Sequence, residues 1–115
     1  KEYAGGCHCG RFRFTFPHVP FEDGQYGVGD CNCSFCSKQG VLWIYGTIGD
    51  LKWAAGSVDE LTRYQWHKKL YAHYFCPTCG VDLFEHELAN DMVGVNARTL
   101  DGLDPVTFKR EFLDG

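Results

Sequence analysis

The stretch Leu70-Tyr71-Ala72-His73-Tyr74-Phe75-Cys76-Pro77-Thr78-Cys79-Gly80-Val81-Asp82-Leu83-Phe84-Glu85-His86 decides how this chain folds. At its centre, Cys76-Pro77-Thr78-Cys79-Gly80 is a Cys-x-x-Cys turn that aims two thiolates at one point. Pro77 presets the turn, and Gly80 lets the backbone curl back so that amides reach the sulfurs. The flanking segments, 70–75 and 81–86, predict an antiparallel hairpin with a metal knuckle at its tip. Two thiolates are half a structural site, because a closed tetrahedral zinc takes four.

The other half lies at the opposite end of the chain. Cys7-His8-Cys9 precedes Gly10-Arg11-Phe12-Arg13-Phe14-Thr15-Phe16, which alternates strictly and predicts a half-buried strand with Phe12, Phe14 and Phe16 on one face. A zinc on Cys7, Cys9, Cys76 and Cys79 would staple that strand to the distal hairpin. Structural zinc contributes roughly 10–16 kcal/mol of apparent binding energy, as much as the whole stability of a small domain.

Seven cysteines leave three over, all in Cys31-Asn32-Cys33-Ser34-Phe35-Cys36. A secreted disulfide framework is the competing reading of such a count. The odd number and the short Cys-x-Cys spacings, which close poorly as disulfides, favour metal instead. That choice implies a reducing intracellular compartment, the cytoplasm. Cys31, Cys33 and Cys36 form either a second structural site closed by one of His8, His18, His67, His73 or His86, or an open zinc with an exchangeable position. Zinc of the open kind is the catalytic kind, and three thiolates make it suited to an incoming thiol.

Composition bounds the rest. At 115 residues, with fourteen Gly and four Pro among short apolar runs, the chain predicts one all-β domain over 1–115. Further strands are expected over 25–29, 41–46, 51–55, 61–66, 92–97 and 106–112. Ser57-Val58-Asp59-Glu60 matches a capping box in form, yet no helical period follows, so a turn is expected there. No apolar run approaches a membrane span, and no signal-peptide pattern is present. A net charge of −4 without a basic stripe argues against nucleic acid, whose binding is dominated by phosphate contacts. Trp43, Tyr45, Trp53 and Trp66 are candidates for a pocket wall or for the core.

The sequence also resembles the glutathione-dependent formaldehyde-activating enzyme family, which includes centromere protein V. The resemblance rests on Gly6-Cys7-His8-Cys9-Gly10, Cys31-Asn32-Cys33-Ser34-Phe35-Cys36, Phe75-Cys76-Pro77-Thr78-Cys79-Gly80 and Asn96-Ala97-Arg98-Thr99-Leu100-Asp101, in that order along nearly the whole chain. It implies a β-tent fold of short antiparallel strands, a structural zinc on Cys7, Cys9, Cys76 and Cys79, and a second zinc on Cys31, Cys33 and Cys36, two per chain. It further implies a carbon–sulfur lyase-like enzyme that joins glutathione and formaldehyde as an S-(hydroxymethyl)glutathione synthase does. Asn32 and Ser37-Lys38 stand where relatives commonly carry His and Arg-Lys. Lys38 and Arg98 are the cations proposed to hold the thiol's carboxylates. The alternative is a zinc-stabilised interaction module with a protein partner. Methionine sulfoxide reductase chemistry needs a later cysteine than Cys79, and rubredoxin-like iron binding uses paired Cys-x-x-Cys knuckles, whereas only one lies outside the triple motif.

Overall fold

A computed structural model describes residues 1–21, 27–65 and 70–114. Its strands are β1 (Glu2–Gly6), β2 (Arg13–Pro17), β3 (Val28–Cys31), β4 (Trp43–Thr47), β5 (Lys52–Ala55), β6 (Thr62–Tyr64), β7 (Tyr71–Phe75), β8 (Asp82–Glu87), β9 (Met92–Asn96) and β10 (Arg110–Leu113). They form a three-stranded sheet ordered β1-β2-β5 and a seven-stranded sheet ordered β10-β3-β4-β9-β8-β7-β6. The all-β expectation is met. Every pairing among the described residues is antiparallel except β10 against β3, which runs parallel. None of the described helices is long and apolar enough to cross a membrane.

Side-chain alternation gives the larger sheet two different faces. Tyr74, Phe84, Val95 and Ile44 are successive cross-strand partners on β7, β8, β9 and β4, and all four are buried. They face the three-stranded sheet and its Phe12, Phe14 and Phe16, which are 0–2% exposed. One residue along, the partners are His73, Glu85, Gly94 and Tyr45. That row looks the other way and becomes the floor of a cavity.

Two local outcomes differ from the sequence reading. The triple-cysteine stretch contains a short helix, α1 (Ser34–Gln39), with Cys33 as its N-cap and Gly40 as its left-handed C-cap at φ +71°. The three cysteines therefore come from a strand end, a cap and a helical turn. β1, unannounced by any apolar run, is placed by pairing with β2 from Glu2↔Pro17 to Gly6↔Arg13. At Ser57 a single 3-10 turn (Val58–Glu60) forms, as the missing helical period predicted. Of the expected strands over 25–29 and 61–66, Gln25, Tyr26 and Trp66 lie outside the described residues.

Candidate metal centres and active-site cavity

The knuckle at the β7–β8 turn and the Cys7–Cys9 turn after β1 are built alike. In each, a glycine amide returns to the first cysteine's carbonyl, Gly80 to Cys76 at 2.8 Å and Gly10 to Cys7 at 3.4 Å. Both glycines are left-handed, at φ +80° and +81°. The turns meet so that the sulfurs of Cys7, Cys9, Cys76 and Cys79 all lie within 4.8 Å of one another. The Sγ separations Cys7–Cys9 and Cys9–Cys76 are both 3.6 Å. Two Zn–S bonds of about 2.3 Å at a tetrahedral angle place sulfurs about 3.8 Å apart, so the spacing suits that ion.

Backbone donors are already turned towards these sulfurs. The amide of Phe12 donates to Cys7 Sγ at 3.4 Å, and those of Thr78 and Cys79 to Cys76 Sγ at 3.3 and 3.4 Å. Burial pushes the Cys79 thiol up, but the N–H groups of Val81 and Cys9 outweigh it and bring it down to about 6. The Arg11 amide pulls Cys9 down, yet partial desolvation and the crowding of Cys7, Cys76 and Cys79 carry it up to about 11. Four sulfurs this close cannot all ionise by themselves, and a divalent cation relieves that conflict.

Cys31, Cys33 and Cys36 form the second group, again with sulfurs within 4.8 Å of one another. The Cys36 amide donates to Cys33 Sγ at 3.3 Å, and Trp43 Nε1–H donates to Cys36 Sγ at 3.5 Å. Burial raises Cys33, but the N–H groups of Cys36 and Phe35 and the two neighbouring thiols win and lower it. Cys31 and Cys36 are raised, chiefly by burial. Cysteine-only donors suit zinc and other soft or borderline ions. Among the described residues, no His, Asp or Glu joins either group at this spacing.

The second group opens onto a cavity of about 560 Å³. Its floor is the row His73, Glu85, Gly94 and Tyr45, with Trp43 behind and Leu70, Tyr71, Met92 and Leu113 around the rim. His73 Nδ1 lies 3.2 Å from Asp82 Oδ2, and its Nε2 lies 3.5 Å from Glu85 Oε2. Phe35 of α1 covers the His73 ring with centroids 4.2 Å apart. A Cβ on Gly94 would lie 3.0 Å from Glu85 Oε1 and 3.3 Å from Trp43 Cε3, so the Glu85 carboxyl occupies the space that glycine leaves.

The remaining sequence candidates fall elsewhere. Trp53 packs edge-on against Phe12 and Phe14 and belongs to the core. Lys38 sits in the last turn of α1 and does not line the cavity. Arg98 donates from Nε to the Gly40 carbonyl at 2.7 Å, tying the end of α1 to the turn after β9, and lines a shallower cavity beside Cys7 and Cys79. Asn32 donates to Asp114 Oδ1 at 3.0 Å, which fastens the cysteine stretch to the C-terminal strand. Among the histidines, His8 is exposed, and His18 is buried with Nδ1 2.8 Å from the Val19 carbonyl. His67 and Trp66 lie outside the described residues.

Residues 2–112 match the sequence profile of a family described as glutathione-dependent formaldehyde-activating enzyme. The chain belongs to the glutathione-dependent formaldehyde-activating enzyme family. Its fold is shared with a Rhodobacter sphaeroides protein whose crystal structure was solved by structural genomics. The two superpose with a TM-score of 0.75 at 29% identity, over 96% of this chain and 99% of that one.

In this family member, Asp82, Glu85 and Glu87 lie outside every sequence motif, and His73, a candidate metal ligand by sequence, sits between Asp82 and Glu85 instead. A signal was available. A hairpin closed at Cys76–Cys79 pairs His73, the one ionisable side chain between Ala72 and Tyr74 on β7, with Glu85 across from it. Burial pushes the Glu85 carboxyl up to about 7, against the pull of nearby His73. Folding thus tightens proton binding at Glu85, and stability falls as pH climbs from 4.5 towards about 7. The expected loss is up to about 3 kcal/mol, absent from Glu85→Gln. Urea unfolding of both proteins across that window checks it, and parallel stability curves would remove the claim.

Proposed function

We propose that this member of the family joins a glutathione-type thiol to an aldehyde, forming a carbon–sulfur bond that a lyase would break in the reverse direction. The observation that carries this reading is that Cys31, Cys33 and Cys36 line a cavity large enough for a small reactant. Zinc on Cys31, Cys33 and Cys36 would supply a Lewis-acid position that favours the ionised form of an added thiol. A second zinc on Cys7, Cys9, Cys76 and Cys79 would be structural, within a single zinc-binding domain spanning 1–115.

The chain's own residues do the rest. Trp43 Nε1–H and the Cys36 amide hold the sulfurs of Cys36 and Cys33 in place. Leu70, Met92, Val93 and Leu113 give the cavity apolar walls that limit water around the reacting atoms. The thiol's reacting end belongs against the floor, where orientation is set by Tyr45, His73 and Glu85. Lys38, on the exposed end of α1, and Arg98 are proposed to meet carboxylates only at the outer end of a thiol that extends beyond the cavity.

The test is to load the reduced protein with cobalt in place of zinc and titrate glutathione while following the thiolate–metal absorption. Two metals per chain and a saturable glutathione-dependent change are expected. Cys33→Ser should keep one metal and lose the change. A wild-type protein whose spectrum ignores glutathione would overturn the reading.

A further inference from the structure

Three ionisable side chains run in line from the cavity floor into the protein. Asp82 is 1% exposed at its side chain, and its Oδ2 holds His73 Nδ1 at 3.2 Å. His73, equally buried, presents Nε2 to Glu85 Oε2 at 3.5 Å. Glu85 and His73 both line the cavity, whereas Asp82 does not. The backbone secures the far end, because Asn96 Nδ2–H donates to the Asp82 carbonyl at 2.9 Å. Apolar residues would fill these buried positions more cheaply if they served packing alone. Gly94 adds a second sign, since a Cβ there would lie 3.0 Å from Glu85 Oε1 and 3.3 Å from Trp43 Cε3 and would press the carboxyl from its place beside the indole that donates to Cys36.

We propose that Glu85 is the group that takes the proton from a thiol in the cavity and hands it to the aldehyde oxygen, with His73 and Asp82 as its positioning residues. The proposal rests on the thiol–aldehyde reading above. In the forward direction the S–H bond breaks and its proton passes to the Glu85 carboxylate. The sulfur's electron pair forms the S–C bond, the carbonyl π pair moves to oxygen, and the Glu85 proton completes the hydroxyl. Nothing is oxidised or reduced, and Glu85 ends as it began. The titratable groups around it are His73 and Tyr71 from β7, Asp82 and Glu87 from β8, Tyr45 from β4, and the three cysteines across the cavity. A carboxyl raised to about 7 is matched to giving and taking a proton near neutral pH.

A purely structural ion-pair row would anchor β7 to β8 and leave proton traffic untouched, which the experiment separates. Glutathione binding to the metal-loaded protein is measured by calorimetry at pH 8 in two buffers of different ionisation enthalpy. A carboxyl at about 7 holds little proton at pH 8 by itself, but a thiolate bound beside it raises it further, so wild type should release clearly fewer protons per thiol bound than Glu85→Gln, which should release close to one. At saturating glutathione, adduct formation with formaldehyde should slow ~100-fold or more in Glu85→Gln. Asp82→Asn, which keeps the shape of the anchor, should slow it less and have no further effect in the Glu85→Gln background. The same proton release in both proteins, or a Glu85→Gln rate within about threefold of wild type, overturns the proposal. Should Glu85→Gln fail to hold its metals, an Asp82→Asn protein at full rate does so instead. If neither protein binds glutathione, the thiol–aldehyde reading fails and this one falls with it; binding without the proton difference sinks this one alone.

Discussion

Cys76→Ser is expected to leave the chain unfolded at room temperature. Cys76 is fully buried, and its sulfur accepts N–H donors from Thr78 and Cys79 and lies 3.6 Å from Cys9. It joins the β7–β8 hairpin to the turn between β1 and β2, which belong to different sheets. If these four cysteines hold a structural zinc, its roughly 10–16 kcal/mol matches or exceeds the ~5–15 kcal/mol that a small domain has to lose. A strong chelator should reproduce the effect in wild type. Far-ultraviolet circular dichroism with metal analysis is the check, and a soluble Cys76→Ser protein with the wild-type melting profile would show that this centre does not hold the fold. Cys33→Ser makes the contrast: its group links only β3 and α1 and should cost the fold far less.

Phe16→Ala is expected to cost ~3–5 kcal/mol with both cysteine clusters intact. Phe16 has no exposed surface, and its ring lies where β4 offers no side chain. A Cβ at Gly46 would come within 2.6 Å of Phe16 Cζ, closer than atoms can sit. The two sheets therefore touch through a ring on bare backbone, and removing that ring leaves a cavity that rigid strands cannot close. Urea denaturation of the metal-loaded proteins measures the loss. A difference below about 1 kcal/mol would mean that the sheets collapse together after all.

The cysteine partition was legible because it is local at both ends. Cys76-Pro77-Thr78-Cys79-Gly80 and Cys7-His8-Cys9-Gly10 are each a turn whose sulfurs converge whatever surrounds them. Strict alternation over Phe12, Phe14 and Phe16 likewise named a buried face in advance, and all three are buried. The short helix α1 was not legible, since six residues carry no helical period and its cap is an unusual one, the Cys33 sulfur. Lys38 and Arg98 drew attention as cations near a motif, but proximity in sequence did not put either in the cavity.

Sequence by itself determined that four cysteines and three cysteines would separate, that the chain would be built of strands, and that one alternating strand would carry the aromatic core. Spacing of two or three residues between ligands and a period of two along a strand are properties of the backbone, so they survive without knowledge of the fold. Only the tertiary structure decided what faces the three-cysteine group. Registers between β7, β8, β9 and β4 bring His73, Glu85, Gly94 and Tyr45 into one row although they span residues 45 to 94. A shift of one residue in any of those pairings would have turned part of that row towards the core, which is why the motifs hold the seven cysteines and not the acid across the cavity from three of them.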